Sequence, residues 1–169
     1  MGTDNDTQRI WDAYKVLIDT RNLEINLFWQ RSNYFLVLNT GLAIGFFNVK
    51  EFPYRLAMAI FGIVASILWL RVSLGAKHWQ ARWEQRLRDF EKECFPRFEF
   101  FSAGPERIED DAKKGLGFFE SKSYWFKNLA YKWALRKPSV TFSMIMLAEM
   151  FALGWLVLVG ISVYLRNCS

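Results

Sequence analysis

Few residues in this chain combine a type and a spacing that could do chemistry. Arg71 and His78 stand seven residues apart, close to two helical turns, so both project from one face of a helix. That pair is the first candidate for chemistry. The same two residues are also explained without chemistry. Arg71 is the first charge after an apolar run and can snorkel to a membrane interface, and His78 falls in the headgroup zone. Glu149 is the other informative residue. It is a lone carboxylate about a third of the way into a long apolar segment, where an acid near the centre costs about 2.5–3.5 kcal/mol to insert. It must face a partner or water. A structural hydrogen bond to Asn39 or to a serine such as Ser66 is one solution. A ring of carboxylates around a water-filled pore in an oligomer is the other.

The remaining inventory is exclusionary. The chain has one His, which rules out a multi-His metal site. Cys94 and Cys168 form no C-x-x-C pair. Cys94 reads as a small buried hydrophobe, and Cys168 as a thiol able to pair between subunits on an oxidising side. The glycines of KGLGFFESKS lack P-loop spacing and the following Lys-Ser/Thr. With no triad, no paired catalytic acids and no nucleotide loop, neither an enzyme nor a cofactor or metal is expected.

The elements that position these residues follow from hydropathy. In 169 residues, 52 % are hydrophobic and 18 % aromatic, yet 23 % are charged, so two solvents are being addressed at once. The opening residues are acidic and polar and do not read as a signal peptide. Residues 1–32 predict an amphipathic cytosolic helix with apolar residues at threes and fours, packing on the stalk or on a neighbouring subunit, or lying in the membrane surface. Residues 33–49 continue an uncharged run that begins at Ser32 and contains Asn39, which needs a partner on another helix, and the small-residue pair Gly41 and Gly45. After the KEFPYR turn, residues 53–96 hold no internal proline and predict one long helix. Its part over 53–76 is a second span with Gly62 and Ser66 as a close-approach seam.

From residue 77 the same helix becomes a charged stalk with one stripe, Trp79, Trp83, Leu87, Phe90 and Cys94. Pro96 stops it. An aromatic loop and a short solvated helix follow. An amphipathic helix over 121–137 then presents Trp125, Leu129 and Trp133 as a packing face for the stalk stripe. Residues 138–166 form the last span, with Glu149 as its one internal charge and Gly154 and Gly160 for close approach.

The expected fold is therefore an all-α integral membrane protein with three transmembrane helices and a cytosolic helical hairpin (residues 77–137) between the second and third. Net charge is +5, but its distribution speaks for a membrane rather than nucleic acid. Lys and Arg number four before residue 32, two in 50–55, fifteen in 71–137 and one after 164. Rich and poor segments alternate, which puts the N-terminus in the cytoplasm and the C-terminus in the periplasm. Three short spans bury little of their own surface, so the chain is expected to be homo-oligomeric. Its other partners are membrane lipid and a cytosolic protein encoded nearby, with no specific nucleic acid.

WQRSNYFLVLNTGLAIGF, GIVASILWLRVSLGAKHWQARWEQRLRDFE and KPSVTFSMIM together resemble the RipA-family octameric bacterial membrane proteins. They are also similar to the accessory membrane protein of type VI-B CRISPR systems. The resemblance implies a homo-octamer in the bacterial inner membrane, acting as a pore or channel-like effector in phage defence or stress response. A non-conducting scaffold or sensor supporting stress adaptation or intracellular growth is the alternative. The Arg71–His78 spacing separately resembles the signature of HEPN-type ribonucleases, which would imply RNA cleavage.

Overall fold

The computed structural model describes residues 3–116 and 139–167. They form four helices, α1 (Thr3–Asn48), α2 (Phe52–Cys94), α3 (Pro105–Leu116) and α4 (Val140–Asn167). No strand occurs among the described residues. The amphipathic segment expected over 1–32 and the apolar segment expected over 33–49 run on as one helix of 46 residues, Thr3–Asn48. The physical reason is simple: neither proline nor glycine interrupts the chain between Thr3 and Gly41. Helix α2 runs 43 residues, with Pro53 in its first turn, where the missing N–H costs nothing. It ends at Cys94 because Pro96 disfavours helical geometry at the residue before it. Pro105 opens α3, whose exposed pairs Glu109–Lys113 (2.7 Å) and Asp110–Lys114 (2.6 Å) lie at i,i+4. Residues 117–138, with Trp125, Leu129 and Trp133 of the expected packing face, lie outside the described residues.

The described residues gather into two compact units. One takes those of Met1–Arg21 and Ala81–Val140, the other those of Asn22–Gln80 and Thr141–Ser169. Two helices, Phe52–Cys94 and Val140–Asn167, are long and apolar enough to cross a membrane. Helix α1 is not among them. Asn33, Asn39 and Asn48 dilute its otherwise apolar C-terminal run.

In the second unit α1, α2 and α4 pack on one another. The α2–α4 register is antiparallel. Trp155 lies against Gly62, the rings of Trp69 and Phe151 are 5.9 Å apart, and Thr141 donates to Gln80 at 3.2 Å. The buried residues of α4 are Thr141, Ala148, Trp155 and Ser162. A spacing of seven brings each to nearly the same angle round the helix, and three of the four are small. One turn along, Phe35 of α1 stacks parallel to Trp69 at 6.3 Å.

Among the expected close-approach residues, Gly62 is the tightest: a Cβ there would overlap the atoms of the Trp155 ring. Gly45 meets the Met58 sulfur. Among the described residues nothing lies within 4 Å of where a Cβ on Gly41, Gly154 or Gly160 would sit, because each faces outward. Replacing Gly62 with Ala should therefore lower the stability of the purified protein in detergent by about 1–3 kcal/mol through overpacking. Gly75→Ala, in open space on α2, should instead add about 0.5–1 kcal/mol from helix propensity. Thermal melting of both variants checks the pair, and equal melting points would contradict the Trp155 contact.

Candidate functional site

Asn39 is fully buried in the second unit and joins its three helices. Its Oδ1 accepts Ser66 Oγ–H of α2 at 3.0 Å and Trp155 Nε1–H of α4 at 2.9 Å. Its Nδ2 donates to the Phe35 carbonyl one turn back at 2.9 Å. The indole N–H can only donate, which dictates that the amide oxygen faces it. Ser66 shares its proton between Asn39 and the Gly62 carbonyl, 2.8 Å away. Ser66 and Asn39 bond each other, and neither bonds Glu149 among the described residues. Glu149 is one residue, or about 100°, round α4 from the buried Ala148. It is exposed and meets no partner among the described residues.

Arg71 and His78 are both exposed on α2. The His78 ring meets only Trp79, edge-on at 6.0 Å, among the described rings. Among the described residues no group of three or more His, Cys, Asp or Glu converges as a metal site would. An open apolar groove of about 550 Å³ runs between α1 and α4, past Ala43, Gly154 and Leu158.

The first unit is built on a residue that sequence reasoning missed. Glu91 is fully buried. Its Oε1 accepts the Tyr14 hydroxyl of α1 at 3.2 Å and the Phe100 N–H at 2.9 Å. Its Oε2 accepts the N–H groups of Phe101 at 2.8 Å and Ser102 at 2.7 Å. Glu99 turns the chain through a left-handed φ of 44°, and the three N–H groups after it converge on the carboxylate. Burial works to raise the Glu91 pKa, but the backbone N–H bonds outweigh it and hold the carboxyl below its ordinary value. Burial, with the Glu91 charge and hydrogen bond behind it, raises Tyr14 from 10.0 to about 12.

Around this centre Tyr14 stacks on Phe90 at 6.1 Å and Trp11 packs on Phe95 at 4.6 Å. Arg21 reaches Glu84 at 3.8 Å and lies over the Phe101 ring. The residues of the stalk stripe differ in burial. Leu87 is fully buried, Trp83, Phe90 and Cys94 are half-buried, and Trp79 is exposed. Two steps of four turn Trp79 about 80° from Leu87 round the helix. The available signal was an acid one turn after Leu87, on the stripe's own face, just ahead of a proline-stopped loop rich in free N–H groups.

Glu91→Gln puts an amide NH₂ where one carboxylate oxygen accepts two N–H groups. It should cost about 1.5–3 kcal/mol, the worth of hydrogen bonds to a charged acceptor. Hydrogen exchange at Phe100, Phe101 and Ser102 should speed up with it, and unchanged protection there would contradict the assignment. The pH dependence has two signs. A folded-state pKa below the ordinary value means that Glu91 stabilises fully above the ordinary carboxylate range and loses this as pH falls through its lowered pKa. Tyr14 stabilises fully below 10.0 and loses this as pH rises through about 12.

No curated protein and no solved structure matches the chain at significance. A family model does match, over residues 11–164, and its description is the octameric membrane protein family (8xMP). The matched length takes in the helices that carry Asn39, Glu91 and Glu149, and the two apolar helices suit a membrane protein. The chain belongs to the octameric membrane protein family.

Proposed function

We propose that the chain forms a homo-octamer in the bacterial inner membrane, with a pore on its axis. Each subunit spans the bilayer three times, through the C-terminal part of α1, the first part of α2, and α4. The N-terminus is cytoplasmic and the C-terminus periplasmic, as the Lys and Arg distribution favours.

The observation that carries this reading is the outward side of α1. Asn33, Thr40 and Asn48 are exposed and fall within about 80° of one another round α1, each at least about 100° from the buried Asn39. Lipid is a poor solvent for that face, and an aqueous axis is a good one. One three-helix subunit has too few helices to enclose water, whereas eight copies of α1 suffice. The likeness to RipA-family proteins and to the type VI-B accessory protein supports a role as an effector in phage defence or stress response. The basic cytosolic segments suit anionic lipid or an acidic protein encoded nearby. Arg71 and His78 have no catalytic role in this reading.

One observation favours a non-conducting scaffold instead. Thr40 and Asn48 also bond the carbonyls of Leu36 and Ile44 at 2.8 and 2.7 Å, which lets them face lipid without water.

Planar-bilayer recording on the purified oligomer separates the two. The wild type should conduct. Asn33→Leu combined with Asn48→Leu should lower the conductance several-fold while the octamer persists. A silent wild type would support the scaffold and end the pore. A reporter fused after Ser169 should behave as periplasmic and one inserted at Gly104 as cytosolic, and the reverse would overturn the topology.

A further inference from the structure

We infer that Glu149 and Arg71 pair between neighbouring subunits, as the charged centre of a head-to-tail contact between α4 of one copy and α2 of the next. This rests on octameric assembly and not on conduction.

Three observations meet here. The first is depth. The Trp69–Phe151 contact fixes one layer of the antiparallel α2–α4 pair. Arg71 lies two residues after Trp69 and Glu149 two residues before Phe151. On antiparallel helices these steps run the same way, so both charges lie about 3 Å from that layer on the same side.

The second is direction. Two residues turn a helix by about 200°. Trp69 and Phe151 face each other, so Arg71 and Glu149 point away from their shared interface, to different outer faces of the unit. Within one chain they cannot meet. Both are exposed, and neither has a partner among the described residues.

The third is setting. Glu149 stands among the exposed Met146, Met150 and Leu153, and Arg71 between the exposed Leu68 and Leu74. Each charge is thus the centre of an apolar outer stripe, and the two stripes carry opposite charges. Two different faces that complement one another make a heterologous contact, which closes into a ring when the rotation per subunit is a whole fraction of a turn, as an octamer requires. An octamer supplies eight such contacts, and each removes two costly intramembrane charges from lipid.

The alternative, carboxylates meeting each other on the axis, leaves Arg71 unpaired. Arg31 on α1 is the other exposed cation nearby. It lies four residues before Phe35, about 6 Å from the same layer on the cytosolic side, and so is a poorer match in depth.

Cysteine pairing in native membranes tests this directly, in a background with Cys94 and Cys168 changed to Ser. Glu149→Cys together with Arg71→Cys should give, on oxidation, a covalent ladder reaching eight subunits, and neither change alone should give one. A disulfide confined within the monomer, no cross-link, or a dimer formed by Glu149→Cys alone would overturn the pairing. Charge exchange adds a second arm. Glu149→Arg or Arg71→Glu should each lower the octamer fraction in native mass spectrometry several-fold, and the two combined should restore it. Restoration by Arg31→Glu instead of Arg71→Glu would assign the pair to the wrong cation. A wild type that is not octameric would fail the assembly premise itself, and is distinguished because it shows without any substitution.

Discussion

A polar side chain inside an apolar bundle must find its hydrogen bonds within the protein, since lipid offers none. Asn39 is the residue through which this requirement acts. Its two bonds to Ser66 and Trp155, with the bond back to Phe35, set the rotation of α1, α2 and α4 together. Once Trp155 is held there, its ring needs a partner without a side chain, and Gly62 is that partner. The seven-residue spacing of Thr141, Ala148, Trp155 and Ser162 then lays α4 along the same groove. Glu149 and Arg71 are turned outward as a consequence. The outward direction of both charges therefore follows from an inward amide.

The first unit solves a related problem with a charge. A fully buried Glu91 is tolerable because four donors surround it, three of them backbone N–H groups of one loop. Such an acceptor does more than a neutral one would, because each bond is charge-assisted. It ties the end of α2 to Tyr14 and to the turn that leads into α3. Removing it would leave three loop donors and one phenol without their acceptor, which is more disruptive than the loss of any one contact in the aromatic cluster.

Much of this was legible in the sequence and some was not. The length of α2, its stop before Pro96, the loop closed by Gly104 and Pro105 and the last apolar helix all follow from proline placement and charge runs. The need of Asn39 for a partner on another helix was legible as well, since an amide in an apolar run has few alternatives. Which donors it takes was not, because Trp155 reads as one more large apolar residue and its N–H shows only when the register is known. Whether Glu149 bonds inside the chain or outside it was left open by the sequence, because the bonds of Asn39 to Ser66 and Trp155 show only when the register is known. Glu91 was passed over because an acid on a charged helix looks solvated, and nothing in its spacing tells which way the following loop folds back. The small residues were legible as a class but not one by one: Gly62 is filled by a ring, while Gly41, Gly154 and Gly160 face outward.

The central claim is that one amide couples three helices, and a double-mutant cycle measures that coupling. Asn39→Ala removes the acceptor. Trp155→Phe removes the donor while keeping a ring over Gly62. Stability of the wild type, both single variants and the double variant in the same detergent gives the interaction free energy. A coupling of about 0.6–1.7 kcal/mol, the range for polar contacts between membrane helices, is the predicted result. Additive effects, with no coupling beyond about 0.3 kcal/mol, would contradict the account.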